Sequence, residues 1–233
     1  MEIVGLQKLT LIDYPGLTAC TLFLAGCNFR CPWCYSSEIV LPDKISEQPQ
    51  LSQNDFLKFL SVRKGLLEGV VICGGEPTLN EGLANLLSEI KKEGFKIKLD
   101  TNGSNCSALE GLVKKRLVDY IAMDIKAPFR VAEYEKVTGR TIDLQNLEES
   151  VAFIKASGID YEFRTTVVPL FHNKEKIKEI AKMLSPAKKY FLQNFWPQKT
   201  LDPSLTKVEP YPREFLEEIR NEIKYLFDVC EIR

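Results

Sequence analysis

Three cysteines lie within eight residues of one another, in the run AGCNFRCPWCY at residues 25–35. The spacings between Cys27, Cys31 and Cys34 let three thiolates from one loop bind one face of an inorganic cluster. Iron–sulfur clusters are usually held by four thiolates, so three would leave one iron open to a ligand from outside the protein. Zinc would need a fourth protein ligand, for which Cys73 and His172 are candidates. A cluster, a zinc site and ordinary buried cysteines all remain open at this point.

A second group of polar residues ends or follows short apolar runs. The carboxyl ends of parallel strands meet at one face of an α/β sheet, where active sites assemble. These side chains are therefore expected at one mouth. They are Gly74, Gly75, Glu76, Asp100, Thr101, Asn102, Asp124, Lys126, Arg164 and Gln193.

The glycine pair and Glu76 can bind a ligand. Gly74 and Gly75 let the backbone approach it closely, because a Cβ atom would intrude. Glu76 can accept a charge-assisted hydrogen bond from an ammonium group. The alternative is a helix-initiating turn at Pro77.

The charged residues need compensation. Asp100 and Asp124 on adjacent strand ends repel one another unless a cation or donors compensate. Lys126 lies two residues after Asp124, on the same strand face. Arg164 in a buried strand is costly without a partner, so it faces a ligand or pairs with a neighbouring strand. Structural salt bridges are the alternative for all four.

Strand-like and helical patterns alternate along the chain, which predicts a parallel sheet with helical crossovers. Six units are too few for a closed barrel, so an open six-stranded barrel or a doubly wound sheet remains. Two proline-containing stretches, 41–52 and 197–212, are expected to be irregular surface segments. The predicted strands are Thr18–Leu24, Gly69–Cys73, Lys96–Thr101, Tyr120–Ile125, Tyr161–Val168 and Tyr190–Gln193. The predicted helices are Asn54–Lys64, Glu81–Glu93, Ala108–Arg116, Leu147–Ser157, Lys174–Leu184 and Pro212–Phe227.

Composition excludes several classes of function. The 31 basic and 32 acidic residues nearly cancel, so nucleic acid is not expected as a partner. The first residues lack the basic region of a signal peptide. The longest uncharged stretch, Tyr14–Phe29, is interrupted by proline and glycine and is too short for a membrane span. A cytoplasmic protein is expected.

The motifs resemble those of a known superfamily. The CxxxCxxC pattern with Trp33 before the last cysteine, together with Gly-Gly-Glu-Pro at 74–77, resembles the signatures of radical S-adenosylmethionine (SAM) enzymes. The wider segments GLQKLTLIDYPG at 5–16 and FLAGCNFRCPWC at 23–34 resemble the activating proteins of anaerobic ribonucleoside-triphosphate reductase. The resemblance extends from about residue 5 to about residue 193.

This resemblance implies a fold and an activity. The fold would be an open partial (β/α)6 barrel of parallel strands in one domain, 1–233. Its core would span about 17–195, after an extension at 1–16 and before a helix at about 212–227. One 4Fe–4S cluster on Cys27, Cys31 and Cys34 would cleave SAM reductively, with electrons from a flavodoxin or ferredoxin. The 5′-deoxyadenosyl radical would then take hydrogen from a glycine of a partner glycyl-radical enzyme.

The resemblance also assigns residues to the cofactors. Asp100, Thr101 and Asp124 would surround a monovalent cation near the SAM carboxylate, and Lys126 would contact SAM. The SAM-binding set would be Trp33, Gly74, Gly75, Glu76, Asp100, Thr101, Asn102, Asp124, Lys126 and Arg164.

Two other functions are weighed against this one. One is a radical SAM enzyme for a small molecule, such as a 7-carboxy-7-deazaguanine synthase. Those enzymes often carry Asp-Thr after the third cysteine, whereas Tyr35-Ser36 follows here. The other is a zinc-binding module without catalysis.

Overall fold

The computed structural model describes residues 1–233 and contains an eight-stranded sheet whose strands follow their order in the chain. The order runs from β1 at one edge to β8 at the other, so the sheet is open. β1 is antiparallel to β2, whereas β2–β3, β3–β4, β6–β7 and β7–β8 are parallel pairs. The strands are Ile3–Thr10 (β1), Ala19–Leu24 (β2), Gly69–Gly74 (β3), Lys96–Thr101 (β4), Tyr120–Asp124 (β5), Asp160–Val167 (β6), Ala187–Asn194 (β7) and Phe227–Ile232 (β8).

Helices connect the parallel strands. 3-10 turns occupy Pro77–Leu79, Pro203–Lys207 and Lys224–Leu226. No helix is long and apolar enough to cross a membrane. The α-helices are Ser37–Val40 (α1), Pro42–Ile45 (α2), Gln53–Ser61 (α3), Leu83–Lys92 (α4), Cys106–Lys114 (α5), Val131–Thr138 (α6), Leu144–Ala156 (α7), Lys174–Leu184 (α8) and Arg213–Ile223 (α9).

Burial explains why these segments form a covered parallel sheet. The first four residues of both β2 and β3 are buried, the pattern of strands covered on both faces. α4 buries Leu83, Leu86, Leu87 and Ile90, which recur at helical spacing and form one apolar face.

The chain forms two compact units. The first comprises residues 1–28, 38–101 and 105–121, and the second comprises residues 29–37, 102–104 and 122–233. Part of the first unit's core consists of Tyr14, Ala19, Val71 and Tyr120. The division falls inside the cysteine segment, so Cys27 belongs to the first unit and Cys31 and Cys34 belong to the second.

The open parallel α/β fold predicted from the sequence is confirmed, and each of the six predicted strands is present within three residues at either end. The prediction missed the two edge strands. β1 contains three consecutive exposed residues and has irregular register against β2, so it lacks an apolar run. β8 also lacks an apolar run, because Phe227 and Cys230 are its only buried residues.

The remaining differences are local. The helix predicted over Pro212–Phe227 ends at Ile223, because a 3-10 turn follows and β8 begins at Phe227. The prediction also missed α6. The segment predicted to be irregular at 41–52 contains α2, which buries Ile45, and Leu51 forms a bridge to Ile3.

Candidate functional site

In the first unit the glycine pair packs against the backbone just before Cys27. The N–H of Gly75 donates to the Leu24 carbonyl at 2.9 Å, and the N–H of Glu76 donates to the Gly26 carbonyl at 2.8 Å. A Cβ atom on Gly75 would lie 1.9 Å from the Gly26 oxygen. Gly74 has φ +121°, and a Cβ there would lie 2.2 Å from the Leu24 oxygen. Backbone packing by itself therefore requires glycine at both positions, and the expectation that the pair also lets the backbone approach a ligand stays a prediction.

Glu76 is fully buried and has a structural role. Its Oε1 accepts from the Thr78 N–H at 3.1 Å, from the Thr78 hydroxyl, and from the Thr101 hydroxyl at 2.8 Å. The turn at Pro77–Leu79 is thus capped by Glu76 itself. The turn-forming alternative is present, and it holds the carboxylate in one orientation.

Asp100 is balanced by Lys98, a residue that the sequence analysis missed. Lys98 is 1% exposed, and its ammonium forms an ion pair with Asp100 Oδ1. The two residues are two apart in β4 and so share a face. An ammonium group therefore compensates this carboxylate, and the predicted monovalent cation is not needed for its charge.

In the second unit the cysteine segment is held by contacts with four residues. The Arg30 N–H donates to the Thr138 carbonyl at 2.6 Å, and the Asp202 N–H donates to the Pro32 carbonyl at 2.9 Å. Trp33 is 4% exposed, and its ring packs 5.2 Å from Phe171 and 5.7 Å from His172, between centroids. Trp33 therefore anchors the loop that carries Cys31 and Cys34.

Asp124, Lys126 and Arg164 come together as predicted, and they do so as ion pairs. Arg164 Nε donates to Asp124 Oδ1 at 2.8 Å, and Lys126 Nζ donates to Asp124 Oδ2 at 2.9 Å. Burial opposes ionisation of Asp124, but the two cations outweigh it and hold the pKa of this carboxyl well below its usual value. Burial also opposes the charge on Lys126, and the Asp124 carboxylate nevertheless raises its pKa. The salt bridges that the sequence analysis gave as the alternative are present, and the pKa shifts of Asp124 and Lys126 both favour the charged form.

The backbone of Lys126 is fixed on both sides. Its N–H donates to the Tyr134 hydroxyl oxygen at 3.0 Å, and its carbonyl lies 2.8 Å from His172 Nε2. The Val168 N–H donates to His172 Nδ1 at 3.0 Å, so the proton lies on Nε2 and is donated to Lys126. His172 is buried, with 3% of its surface exposed, and this burial lowers its pKa to about 4.

Asn102 has a local role. Its Oδ1 accepts from the Ser104 N–H at 2.9 Å, which closes a turn of the kind that asparagine favours. Gly103 in that turn has φ +77°, and a Cβ there would lie 2.0 Å from Met123 Cε.

Sequence reasoning missed Lys98, Glu162 and the packing of His172. A signal for two of them was present, because charged residues two apart occur in three successive strands or just beyond. The pairs are Lys98/Asp100, Asp124/Lys126 and Glu162/Arg164. Residues two apart share a strand face, so each pair was a candidate ion pair.

The donor chemistry of the cysteine segment fits an iron–sulfur cluster, since thiolates are its usual ligands. Cys31 is 8% exposed, and Cys27 and Cys34 are partly exposed. No group of three or more His, Cys, Asp or Glu side chains in residues 1–233 is placed to hold a single metal ion. The cluster assignment accordingly rests on the motif and on the family of the protein.

The fold and the motifs define a class of protein. Residues 21–184 match the Radical SAM superfamily, and the chain belongs to that superfamily. The match starts within β2, before Cys27, and extends to the end of α8. The protein is therefore a radical SAM enzyme, and its family implies a 4Fe–4S cluster and SAM.

The chain is also similar in sequence to individual proteins with named activities. The chain is 33% identical over 90% of its length to a Methanocaldococcus jannaschii protein named by inference as a glycyl-radical enzyme activating enzyme, and it covers 86% of that protein. It is 30% identical over 55% of its length to the 7-carboxy-7-deazaguanine synthase of Neisseria meningitidis serogroup B, of which it covers 52%.

Solved structures show the same fold. Streptococcus suis SuiB bound to S-adenosylmethionine superposes with a TM-score of 0.67 at 15% identity, over 90% of this chain. The present chain spans about half the length of SuiB, 50%.

Proposed function

We propose that the chain is a glycyl-radical enzyme activating enzyme and that its partner is an anaerobic ribonucleoside-triphosphate reductase. The main support is the extent of similarity, since the relative named as an activating enzyme matches 90% of this chain and the deazaguanine synthase only 55%. The segments at 5–16 and 23–34 support the choice of partner by their resemblance to the activating proteins of that reductase.

In this proposal Cys27, Cys31 and Cys34 hold one 4Fe–4S cluster. The cluster would supply an electron, delivered by a flavodoxin or ferredoxin, for cleavage of SAM to methionine and a 5′-deoxyadenosyl radical that takes a hydrogen atom from a partner glycine. Holding SAM beside the electron source makes the transfer intramolecular. The residues assigned to SAM binding in this proposal are Trp33, Gly74, Gly75, Glu76, Asp100, Thr101, Asn102, Asp124, Lys126 and Arg164.

The protein groups have distinct tasks in this scheme. Glu76 would accept a hydrogen bond from the SAM ammonium, because its carboxylate is buried and already oriented by Thr78 and Thr101. Lys126 and Arg164 would attract the SAM carboxylate as charged donors. The pairing of both cations with Asp124 keeps them ionised and in place.

An exposed aromatic pair in the second unit supports a polypeptide substrate. Tyr35, which follows Cys34, is 48% exposed and Trp196 is 51% exposed, and their rings meet edge to face at 6.2 Å between centroids. Tyrosine and tryptophan are enriched at protein interfaces. Such a pair beside the cysteine segment suits docking of a large partner.

The experiment is anaerobic reconstitution with iron and sulfide, followed by reduction with dithionite in the presence of SAM and the reductase. A persistent protein-radical doublet in electron paramagnetic resonance is expected, and it should be lost when the target glycine of the reductase is replaced by alanine. Deoxyadenosine release without any protein radical would contradict the proposal and favour the small-molecule alternative. A colourless, zinc-containing protein would contradict both the activating-enzyme proposal and the small-molecule alternative.

A further inference from the structure

Five side chains of the second unit form a row of alternating charge. Arg233 Nη1 and Nη2 donate to the two oxygens of Glu162 at 2.7 and 3.0 Å. Glu162 Oε1 lies 3.9 Å from Arg164 Nη1. Arg164 and Lys126 then pair with Asp124 at 2.8 and 2.9 Å. The row thus runs from Arg233, just after β8, to Lys126, which the proposed function assigns to SAM.

Glu162 lies between the two arginines of this row, Arg233 and Arg164. It is fully buried, and a buried carboxylate is costly unless it is paired and hydrogen-bonded. Arg233 supplies a bidentate partner, the strongest geometry for such a pair. Because Glu162 and Arg164 are two apart in β6, they share a strand face. A fixed Glu162 therefore places an anion beside the guanidinium of Arg164.

Arg233 is itself held from two directions. Its N–H donates to the Leu192 carbonyl at 2.9 Å, and its carbonyl accepts from the Asn194 N–H at 3.3 Å. Its guanidinium carbon lies 3.5 Å from the centroid of the Phe191 ring, a cation–π contact. Since backbone and side chain are both anchored, Arg233 can orient Glu162.

The net charge of the row favours an anion at its far end. Three cations and two carboxylates leave one positive charge. The end of the row at Asp124, Lys126 and Arg164 is only partly exposed, with side-chain exposures of 28%, 15% and 12%. A carboxylate is a ligand whose charge would balance the row.

We propose that Glu162 and Arg233 are positioning residues for SAM. They would hold the Arg164 guanidinium, and through Asp124 the Lys126 ammonium, in the orientation that binds the SAM carboxylate. This inference rests on the proposed assignment of Arg164 and Lys126 to SAM, whereas the positioning of Arg164 can be tested without any cofactor.

The first test uses the metal-free protein. Hydrogen exchange of the Arg164 Nε–H, assigned by its loss in Arg164→Lys, is followed by ¹⁵N nuclear magnetic resonance. Arg233→Ala should speed this exchange several-fold, because Glu162 would lose its bidentate partner. Arg233→Lys should restore part of the protection. Arg220→Ala is the matched control, since Arg220 of α9 pairs with the exposed Glu231 of β8, and this variant should leave the Arg164 exchange rate unchanged.

The second test is a double-mutant cycle for SAM affinity in the reconstituted protein, measured by calorimetry. Arg233→Ala should raise the Kd about tenfold in the wild-type background and less than about twofold in the Arg164→Ala background, because coupled residues are not additive. Unchanged Arg164 exchange in Arg233→Ala would overturn the positioning role. Changed exchange with additive or absent effects on SAM affinity would overturn the link to SAM. Neither outcome depends on whether a glycyl radical forms on the reductase.

Discussion

Gly75 lies so close to Gly26 that a Cβ atom on it would be 1.9 Å from the Gly26 carbonyl oxygen and 3.1 Å from the Cys27 nitrogen. Two motifs separated by almost fifty residues in the sequence are therefore one packed piece of backbone. The Gly-Gly-Glu segment fixes the start of the cysteine segment, and the hydrogen bond from Glu76 N–H to Gly26 completes the contact.

Gly75→Ala should consequently disturb Cys27 and reduce the iron bound after reconstitution to a small fraction of the wild-type amount. Real Cβ atoms do not approach backbone this closely, so the Gly26–Cys27 segment must shift. Iron content and the thermal midpoint are measured together. Gly111→Ala in α5 is the control, since a Cβ there meets nothing within 4 Å and should stabilise the helix by about 0.5–1 kcal/mol. Full iron content in Gly75→Ala would contradict the packing argument.

Cys31→Ser should abolish both the cluster absorbance and SAM cleavage, because the hydroxyl is a poor replacement for a thiolate ligand. Iron content and deoxyadenosine release are the measurements. Cys230→Ala is the comparison, since Cys230 is a buried residue of β8 outside the motif and should retain iron. Full deoxyadenosine production by Cys31→Ser would disprove the ligand assignment.

Glu76→Gln isolates the charge of this residue. The hydrogen bonds from Thr78 and Thr101 all reach one oxygen, Oε1, so the amide oxygen of glutamine can accept these same bonds. The loss of charge should weaken SAM binding about tenfold, within the range of a charge-assisted hydrogen bond, while iron is retained. Iron loss, or unchanged SAM affinity measured by calorimetry, would show that Glu76 is misassigned.

His172 makes stability depend on pH. Burial lowers its pKa from 6.5 to about 4 in the folded protein. Between these values the unfolded chain binds a proton that the folded protein does not, so stability falls as the pH falls. The free energy of unfolding should therefore fall by about 2 kcal/mol between pH 7 and pH 5 because of His172.

The measurement is denaturant unfolding of the metal-free protein across that range, for the wild type and for His172→Gln. Glutamine can still donate to the Lys126 carbonyl, and carboxylates titrate in both proteins. The difference between the two curves therefore reports His172 alone. Parallel curves from pH 7 to pH 5 would rule out a depressed pKa.

Trp196→Ala should raise the KM for the reductase several-fold and leave uncoupled deoxyadenosine release unchanged, because the exposed pair with Tyr35 would contact the partner and not SAM. An alanine substitution that costs about 1 kcal/mol of binding free energy weakens an interface about fivefold. Tyr225→Ala is the matched control, since Tyr225 is an exposed aromatic, 77%, in the turn Lys224–Leu226. Equal KM values for Trp196→Ala and Tyr225→Ala would show that the Tyr35–Trp196 pair does not contact the reductase.

Much of the fold was readable from the sequence because its signals are local. The six central strands are short apolar runs, and α8 was predicted at its observed bounds because its apolar residues follow helical spacing without interruption. The cysteine and Gly-Gly-Glu-Pro motifs were recognisable because the chemistry demands fixed residue types at fixed spacing. These local features are enough to place the chain in its superfamily.

The sequence by itself therefore determined the superfamily, the order of the six central strands, and the two motifs that carry the proposed chemistry. Only the tertiary structure decided that the glycines are required by Gly26 and Leu24, that His172 is buried against Lys126, and that Arg233 reaches Glu162. The physical reason is sequence separation: the partners of that last ion pair are 71 positions apart in the chain, and such pairing depends on how strands are brought side by side.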